Sequence, residues 1–323
     1  VKAKSMHEPE PSSEFTLINW FRQRERSRPG RGTTLGIGDD CAILGVTPGC
    51  DLLVTTDMLM DGRHFRLDQY GPEAVGYKAM GVNLSDIAAM AGVPRAGVVA
   101  VALPRLDAIA VAQGVYNGMR SLAEQFQVEL VGGDTNAWDG PLVINVTLVG
   151  ETTSLGPVRR SGARAGDIIL VTGALGGSLA SGRHLRPEPR IAEALALHAA
   201  APIHAMIDIS DGLSSDLGHI LEESGVGAVV DAESIPIHPD CQAMSRQDGV
   251  PALDHAVNDG EDFELCLVVS AENAARLLAS TPSPAKIYSI GAITDAPGLR
   301  LKLPDGRIVT VGPGGFDHLR ATK

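Results

Sequence analysis

Basic residues are in short supply in this sequence: 27 Lys and Arg stand against 39 Asp and Glu, a net charge of −12. A nucleic acid or an anionic membrane therefore gains no general electrostatic attraction, and the surplus of carboxylates instead suits bound cations. Cysteine is sparse as well. Cys41, Cys50, Cys241 and Cys266 include no C-x-x-C pair and lie too far apart for a zinc site or a small disulfide framework, so they read as reduced thiols in a cytoplasmic protein. No apolar run approaches the roughly 20 residues of a membrane span, and Val1 to Met6 lacks the apolar stretch of a signal peptide. Familiar nucleotide signatures are missing too. There is no G-x-x-x-x-G-K-[ST] loop and no protein-kinase motif set, and Gly36-Ile37-Gly38 does not continue as G-x-G-x-x-G.

Glycine is plentiful, at 37 residues, while aromatics make up only 4%. Small residues on this scale favour tight turns and closely packed helix–sheet layers, hence an α/β or α+β protein. At roughly 150 residues per domain, a chain of 323 residues predicts two domains. Residues 1–13, polar and Pro-rich, read as a disordered or appended N-terminus. An α/β domain is expected over 14–152 and an α+β domain over 153–323, divided by the turn-rich stretch Glu151 to Gly166. Apolar patterning predicts strands at Leu52–Thr56, Ala96–Leu103, Val128–Val131 and Leu142–Val149, with helices at Glu73–Met90 and Asp107–Phe126. The second domain shows strands at Ile168–Thr172, Ala205–Ile209, Ala228–Val230 and Phe263–Val269, helices after Pro189, Asp211 and Ala271, and strands joined by turns from Lys286 to Val311. The arginines between Arg22 and Arg31 read as a solvated helix end.

The acids occupy telling positions. Asp39 and Asp40 follow a Gly-rich turn, Asp57 ends a strand, Asp134 follows Gly132-Gly133, and Asp208 and Asp211 flank Ser210. Open α/β sheets bind ligands beyond the carboxyl ends of their strands, so acids recurring there are candidates for one shared site. Each alone also serves as a turn former or helix cap, Asp211 before Gly212-Leu213 included. Asp86 is different: it follows Val75, Ala79 and Val82 at helical spacing, which sets a carboxylate in line with an apolar stripe. Burying such a group without a partner is costly, and metal binding resolves it. Asp oxygens with Ser and Thr hydroxyls, without clustered Cys or His, select hard Mg²⁺ over zinc. Mg²⁺ usually takes phosphate as well, and the glycines at 36–38, 132–133 and 173–177 would let backbone N–H groups approach it.

The strings Gly36-Ile37-Gly38-Asp39-Asp40-Cys41-Ala42, Thr55-Thr56-Asp57-Met58-Leu59, His64-Phe65, Tyr77-Lys78-Ala79, Val82-Asn83-Leu84-Ser85-Asp86, Val131-Gly132-Gly133-Asp134-Thr135, Arg160-Ser161-Gly162-Ala163, Ile209-Ser210-Asp211-Gly212-Leu213 and Gly260-Glu261-Asp262-Phe263-Glu264-Leu265 together resemble the thiamine-monophosphate kinases. This family belongs to the aminoimidazole ribonucleotide synthetase-like ATP-binding enzymes. The resemblance implies an N-terminal α/β domain whose mixed sheet pairs in a homodimer, a C-terminal α+β domain, and transfer of the ATP γ-phosphoryl to thiamine monophosphate, giving thiamine diphosphate and ADP. It also implies roles: Asp40, Thr55, Thr56, Asp57, Asp86, Asp134, Asp208 and Asp211 toward several Mg²⁺ ions, with Asp40, Asp57, Asp134 and Asp211 the catalytic set. Asp40, Thr55, Tyr116, Gly133, Asp134, Arg160 and Ser210 are implied on the ATP side, and His64, Asp86, Glu261 and Phe316 on the substrate side. By the residues alone, Tyr116 reads equally as core, His64 as a satisfied histidine and Arg160 as a solvated charge. A phosphate nucleophile is already ionised near neutral pH, so direct in-line transfer without a phospho-enzyme is expected. The competing expectations are a sister synthetase, such as aminoimidazole ribonucleotide synthetase, and a non-catalytic Mg-nucleotide sensor.

Overall fold

Apolar alternation from Leu52 onward builds the first sheet, and continuous apolar runs build the second. The computed structural model describes residues 13–26, 32–35, 37, 41–280, 282, 284, 286–312 and 314. Asp40 and Phe316, both predicted site residues, lie outside these, as do residues 1–12. In the first half the elements are α1 (Glu14–Arg26), β1 (Thr33–Leu35), β2 (Ile43–Leu44), β3 (Leu52–Met60), α2 (Leu67–Ala89), β4 (Val93–Pro104), α3 (Ala108–Phe126), β5 (Glu129–Trp138) and β6 (Val143–Glu151). The second half runs β7 (Ile168–Thr172), α4 (Ser178–Ser181), α5 (Ile191–Ala200), β8 (Ala205–Asp208), α6 (Leu213–Ser224), β9 (Gly227–Asp231), α7 (Pro239–Asp248), α8 (Ala252–Asn258), β10 (Leu265–Val269), α9 (Ala271–Ala279), β11 (Ile287–Thr294), β12 (Gly298–Lys302) and β13 (Ile308–Val311).

Two compact units emerge, one comprising Val1–Val46, Thr56–Ala79 and Arg95–Leu148, the other Thr47–Thr55, Met80–Pro94 and Val149–Lys323. The first sheet has the order β3-β6-β4-β5, with β4 and β5 parallel. In the first unit α2 and α3 touch backbone to backbone: a Cβ at Gly76 would fall 2.0 Å from the Val115 carbonyl oxygen, and one at Gly118 1.9 Å from that of Glu73. Only glycine permits this approach. Helix α2 is two helices joined at Gly71 (φ +76°), with Pro72 opening the longer one, where its missing N–H costs no helical bond.

The second unit holds a seven-stranded mixed sheet, β13-β12-β9-β11-β7-β10-β8, in which β12 runs parallel to β9 and the other neighbours pair antiparallel. Every residue of β8 and β10 is buried, which explains the apolar runs Ala205–Ile207 and Leu265–Val269. Helix α6 lays Leu213, Leu217, Ile220 and Leu221 on a core that includes Ile169, Ile207, Cys266 and Ile290. Because β8 and β10 are antiparallel with Leu265 opposite Asp208, the end of β8 lies beside the start of β10. Polar loops from both strands therefore meet at one sheet end.

Candidate active site

Asp208 is the last residue of β8 and only 3% exposed. Its Oδ2 accepts a 2.6 Å hydrogen bond from the Ser85 hydroxyl of α2. Burial, with the negative charge of Asp86 added to it, pushes Asp208 up to about 7, against the pull of Ser85 and of the exposed Arg160. Asp86, half-buried one residue beyond Ser85, accepts a short hydrogen bond from the Thr55 hydroxyl of β3. The structure thus brings Thr55, Asp86, Asp208 and the charge of Arg160 together. The following loop, Ile209–Gly212, carries Ser210 and Asp211, whose N–H groups both donate to Asp216 Oδ2 at 3.0 Å. Asp211 does not cap α6 as the sequence allowed; the cap position is Gly212, without a side-chain bond. Asp216, 2% exposed, is pushed up to about 8 by burial and by the charges of Asp208 and Asp211.

Alongside this loop runs the segment before β10. The Glu261 N–H donates to the Ser210 carbonyl at 2.7 Å, and the Phe263 N–H to that of Ile209 at 2.8 Å. Glu261 and Phe263 are both left-handed, at φ +63° and +54°, a conformation non-glycine residues hold only where surroundings impose it. That turn is why the strand predicted from Phe263 starts at Leu265. Asp262 between them accepts from the Gly176 N–H at 2.7 Å and from Arg183 Nη2 at 3.2 Å. Glu264 takes both ends of the Arg190 guanidinium, at 2.8 and 2.6 Å, and the Thr172 hydroxyl at 2.7 Å. The loop at 173–177 is therefore not an open phosphate cradle. Its Gly176 and Gly177 N–H groups are already taken, by Asp262 and by Asp259 at 3.2 Å.

Side chains alternate along β3, so Thr56 projects from the face opposite Thr55 and Asp57. Its hydroxyl bonds the Val146 carbonyl at 3.1 Å and Thr147 Oγ1 at 2.9 Å on β6. His64 Nδ1 accepts from the Met60 N–H at 2.9 Å, which in the neutral ring leaves the proton on Nε2. The His64 carbonyl accepts from Nζ of Lys78, a lysine only 1% exposed, at 2.6 Å. Tyr116, Gly133 and Asp134 line one cavity of ≈150 Å³, whose other walls are chiefly apolar, among them Phe21, Val99, Val101 and Met119. A cavity of about this size admits one flat ring. The Tyr116 ring is 4% exposed and packs on Phe21 and Trp20, centroids 4.8 and 5.2 Å away, and its hydroxyl donates to Glu25 Oε1 at 2.6 Å. Gly133 has a steric reason of its own, since a Cβ there would stand 2.0 Å from the Val99 carbonyl oxygen.

The donors around Asp86 and Asp208 are carboxylate and hydroxyl oxygens, a hard set. Among the described residues no three His, Cys, Asp or Glu side chains gather closely enough to hold a metal ion by themselves. A carboxylate pair with like charges pressed together does fit Mg²⁺, which takes one or two carboxylates and completes its shell with water and phosphate oxygens. It does not fit zinc, nor an all-protein calcium cage. Asp216, Asp262, Glu264, Arg183 and Arg190 escaped the sequence reading. The signal for Asp216 was present: it stands on the stripe Leu213, Leu217, Ile220, the same pattern that singled out Asp86.

Residues 38–152 match the family described as AIR synthase related protein, N-terminal domain, and residues 164–304 its C-terminal counterpart. The chain is 39% identical over 312 residues to a thiamine-monophosphate kinase of Rhodopirellula baltica, covering 94% of this chain and 97% of that protein. The crystal structure of thiamine-monophosphate kinase from Stenotrophomonas maltophilia K279a superposes with a TM-score of 0.77 at 36% identity, covering 91% and 97% of the two chains. A structure described as AaThiL complexed with AMPPCP and TMP superposes with a TM-score of 0.74 at 30% identity, covering 95% and 97%.

Proposed function

The chain belongs to the thiamine-monophosphate kinase family, and from that premise we propose that it phosphorylates thiamine monophosphate with ATP, yielding thiamine diphosphate and ADP as the last step in making that cofactor. The observation that carries the reading to these residues is the convergence of Asp86 and Asp208 with the Thr55 and Ser85 hydroxyls at the end of β8. ATP and a phosphate monoester repel one another, and buried carboxylates add to that repulsion unless cations stand between. Bound Mg²⁺ supplies charge neutralisation and alignment of the phosphates. Asp86, Asp208 and Asp211 are the carboxylates of the second unit that would hold it; for Asp57, Asp134 and Asp40 a metal role rests on the family resemblance alone. In the second unit Arg160 and Ser210 would meet phosphate and Glu261 the acceptor; in the first the Tyr116 cavity would suit a flat heteroaromatic ring, and His64 keeps the acceptor role that the resemblance implies. The acceptor oxygen is ionised before it reacts, so these residues position rather than deprotonate, and the γ-phosphoryl passes directly between the two phosphates.

The chain is further read as a homodimer. Val54, Met58 and Met60 alternate along one side of β3 at 63%, 57% and 42% exposure, an apolar edge-strand face of the kind that a second copy covers. Sedimentation at micromolar concentration checks it. A cytoplasmic setting accords with four free cysteines. Among the described residues no helix is long and apolar enough to cross a membrane.

The test of function is ADP release from Mg-ATP with thiamine monophosphate, thiamine or no acceptor, run beside Asp57→Asn. Turnover only with the monophosphate, lost in the variant, is expected. Nucleotide binding without acceptor-dependent turnover would favour a sensor, and turnover with another acceptor a sister synthetase.

A further inference from the structure

The Asp216 side chain accepts its hydrogen bonds from the loop ahead of its own helix. The first turn of α6 closes with the Ser215 and Asp216 N–H groups on the Gly212 carbonyl, both at 3.0 Å, while the Asp216 carboxylate reaches back past that turn to the loop. A single oxygen, Oδ2, takes the N–H of Ser210 and that of Asp211. From the other side the Ser210 carbonyl is held by the N–H of Glu261, itself in a left-handed conformation. The Ser210 peptide groups are thus gripped on both edges, and the loop cannot slide without breaking one grip. Burying a carboxylate within reach of Asp208 and Asp211 is an expensive way to satisfy two N–H groups when a neutral oxygen would serve. The geometry makes sense if the loop's placement matters more than local stability.

We propose that Asp216 is a positioning residue, fixing the backbone from which Ser210 and Asp211 meet a magnesium nucleotide and tying that backbone to Glu261. This rests on the reading that the loop is part of the phosphoryl-transfer site. Asp216 touches neither nucleotide nor acceptor. Removing it lets the loop relax, and a misplacement of about 1 Å at such a site costs roughly 100-fold in turnover.

The test compares the full chain with Asp216→Ala and Asp216→Asn by three readouts: calorimetric affinity for a non-hydrolysable Mg-ATP analogue, kcat and KM for Mg-ATP, and the thermal midpoint. Asp216→Ala is expected to weaken analogue binding and to lose roughly 100-fold in kcat/KM. Asp216→Asn, which keeps an acceptor oxygen and drops a crowded charge, should recover most of that loss. The proposal is overturned if Asp216→Ala, corrected for its folded fraction, binds and turns over like the parent, or if Asn fails as badly as Ala while both retain the parent's midpoint. If Asp216→Ala does not fold, the Asn variant decides alone: a raised Mg-ATP KM approaching complete loss of analogue binding would sink it. Should the parent bind the analogue yet show no turnover with thiamine monophosphate, the functional reading fails while the Ala-against-Asn difference in affinity still judges Asp216. A parent that binds no nucleotide overturns both.

Discussion

Two sets of buried carboxylates share one unit and are held in opposite ways. Asp262 and Glu264 each meet a guanidinium, Arg183 at 3.2 Å and Arg190 through two bonds. Asp208 and Asp216 meet hydroxyl and N–H donors, and acidic neighbours, Asp86 for the first and Asp208 and Asp211 for the second, add negative charge to the cost of burial. Burial alone does not separate the sets, since it pushes Asp262 up to about 7 just as it does Asp208. The neighbours do. Around Asp262 the Gly176 N–H and Arg183 outweigh the charge of Glu264 and work against burial, whereas around Asp208 and Asp216 like charges come next after burial, ahead of the donors and of Arg160 that oppose them. A carboxylate that carries its own counter-cation is complete as folded, and carboxylates crowded together call for a cation from outside.

Neutralising one member of each set gives the contrast its hardest test. Asp208→Asn removes a charge that repels Asp86, so its thermal midpoint should hold or rise, while acceptor-dependent ADP release falls on the order of 10²–10³-fold, as when one preorganised electrostatic group leaves a transition state. Arg190→Met should do the reverse. It strands Glu264, 5% exposed, without its guanidinium, and breaking such a pair costs about 3–5 kcal/mol in denaturant melts with turnover per folded molecule unchanged. If Asp208→Asn unfolds the protein, or Arg190→Met silences a stable one, the division between structural and cation-seeking acids is wrong.

How far the sequence discloses this division depends on the distance over which each contact acts. The acid that ends β8 and the stripe through Val75, Ala79, Val82 and Asp86 are local patterns, and β7 spans the very residues, Ile168–Thr172, that its apolar run predicts, whereas Asp57 and Asp134, expected at strand ends, lie inside β3 and β5 because both strands run on past their apolar stretches. The thiamine-monophosphate kinase family was legible in ordered motifs. The arginine partners were not, because Arg183–Asp262 and Arg190–Glu264 join residues more than seventy positions apart. Nor was the left-handed backbone at Glu261 and Phe263, which no glycine announces. The glycines at 176 and 177 misled for the same reason: their N–H groups are claimed by acids distant in sequence. Helices α7 and α8 lack the clear apolar period that marks α6, and went unread.

The cavity beside Tyr116 sharpens the comparison from the neutral side. Its walls hold one acid, Asp134, and otherwise mostly apolar side chains. Tyr116→Phe keeps the ring and deletes the hydroxyl bond to Glu25, so stability should drop by about 1 kcal/mol and Mg-ATP affinity by less than roughly 10-fold. Calorimetry and a denaturant melt on one preparation separate the two. A larger affinity loss would mean that the hydroxyl, and not the aromatic face, reads the nucleotide.

The smallest expected effect concerns a histidine placed among the acids that carry their own cation. His255, 6% exposed, lies between Asp259, 3.1 Å from Nδ1, and the more exposed Asp248, 3.2 Å from Nε2. Burial by itself would lower its pKa, but hydrogen bonds and charge from Asp259 and Asp248 outweigh burial and hold it above the ordinary value of 6.5. A histidine raised on folding contributes stability that is fully present below its unfolded pKa and is lost as pH rises through the folded one. Unfolding free energy should therefore decline from about pH 6.5 upward, by less than about 1 kcal/mol because Asp248 is solvent-screened, and His255→Gln should flatten that decline without moving kcat. A decline that persists in His255→Gln would assign it to another group and leave His255 neutral, on the side of the hydrogen-bonded acids rather than the ion-paired ones.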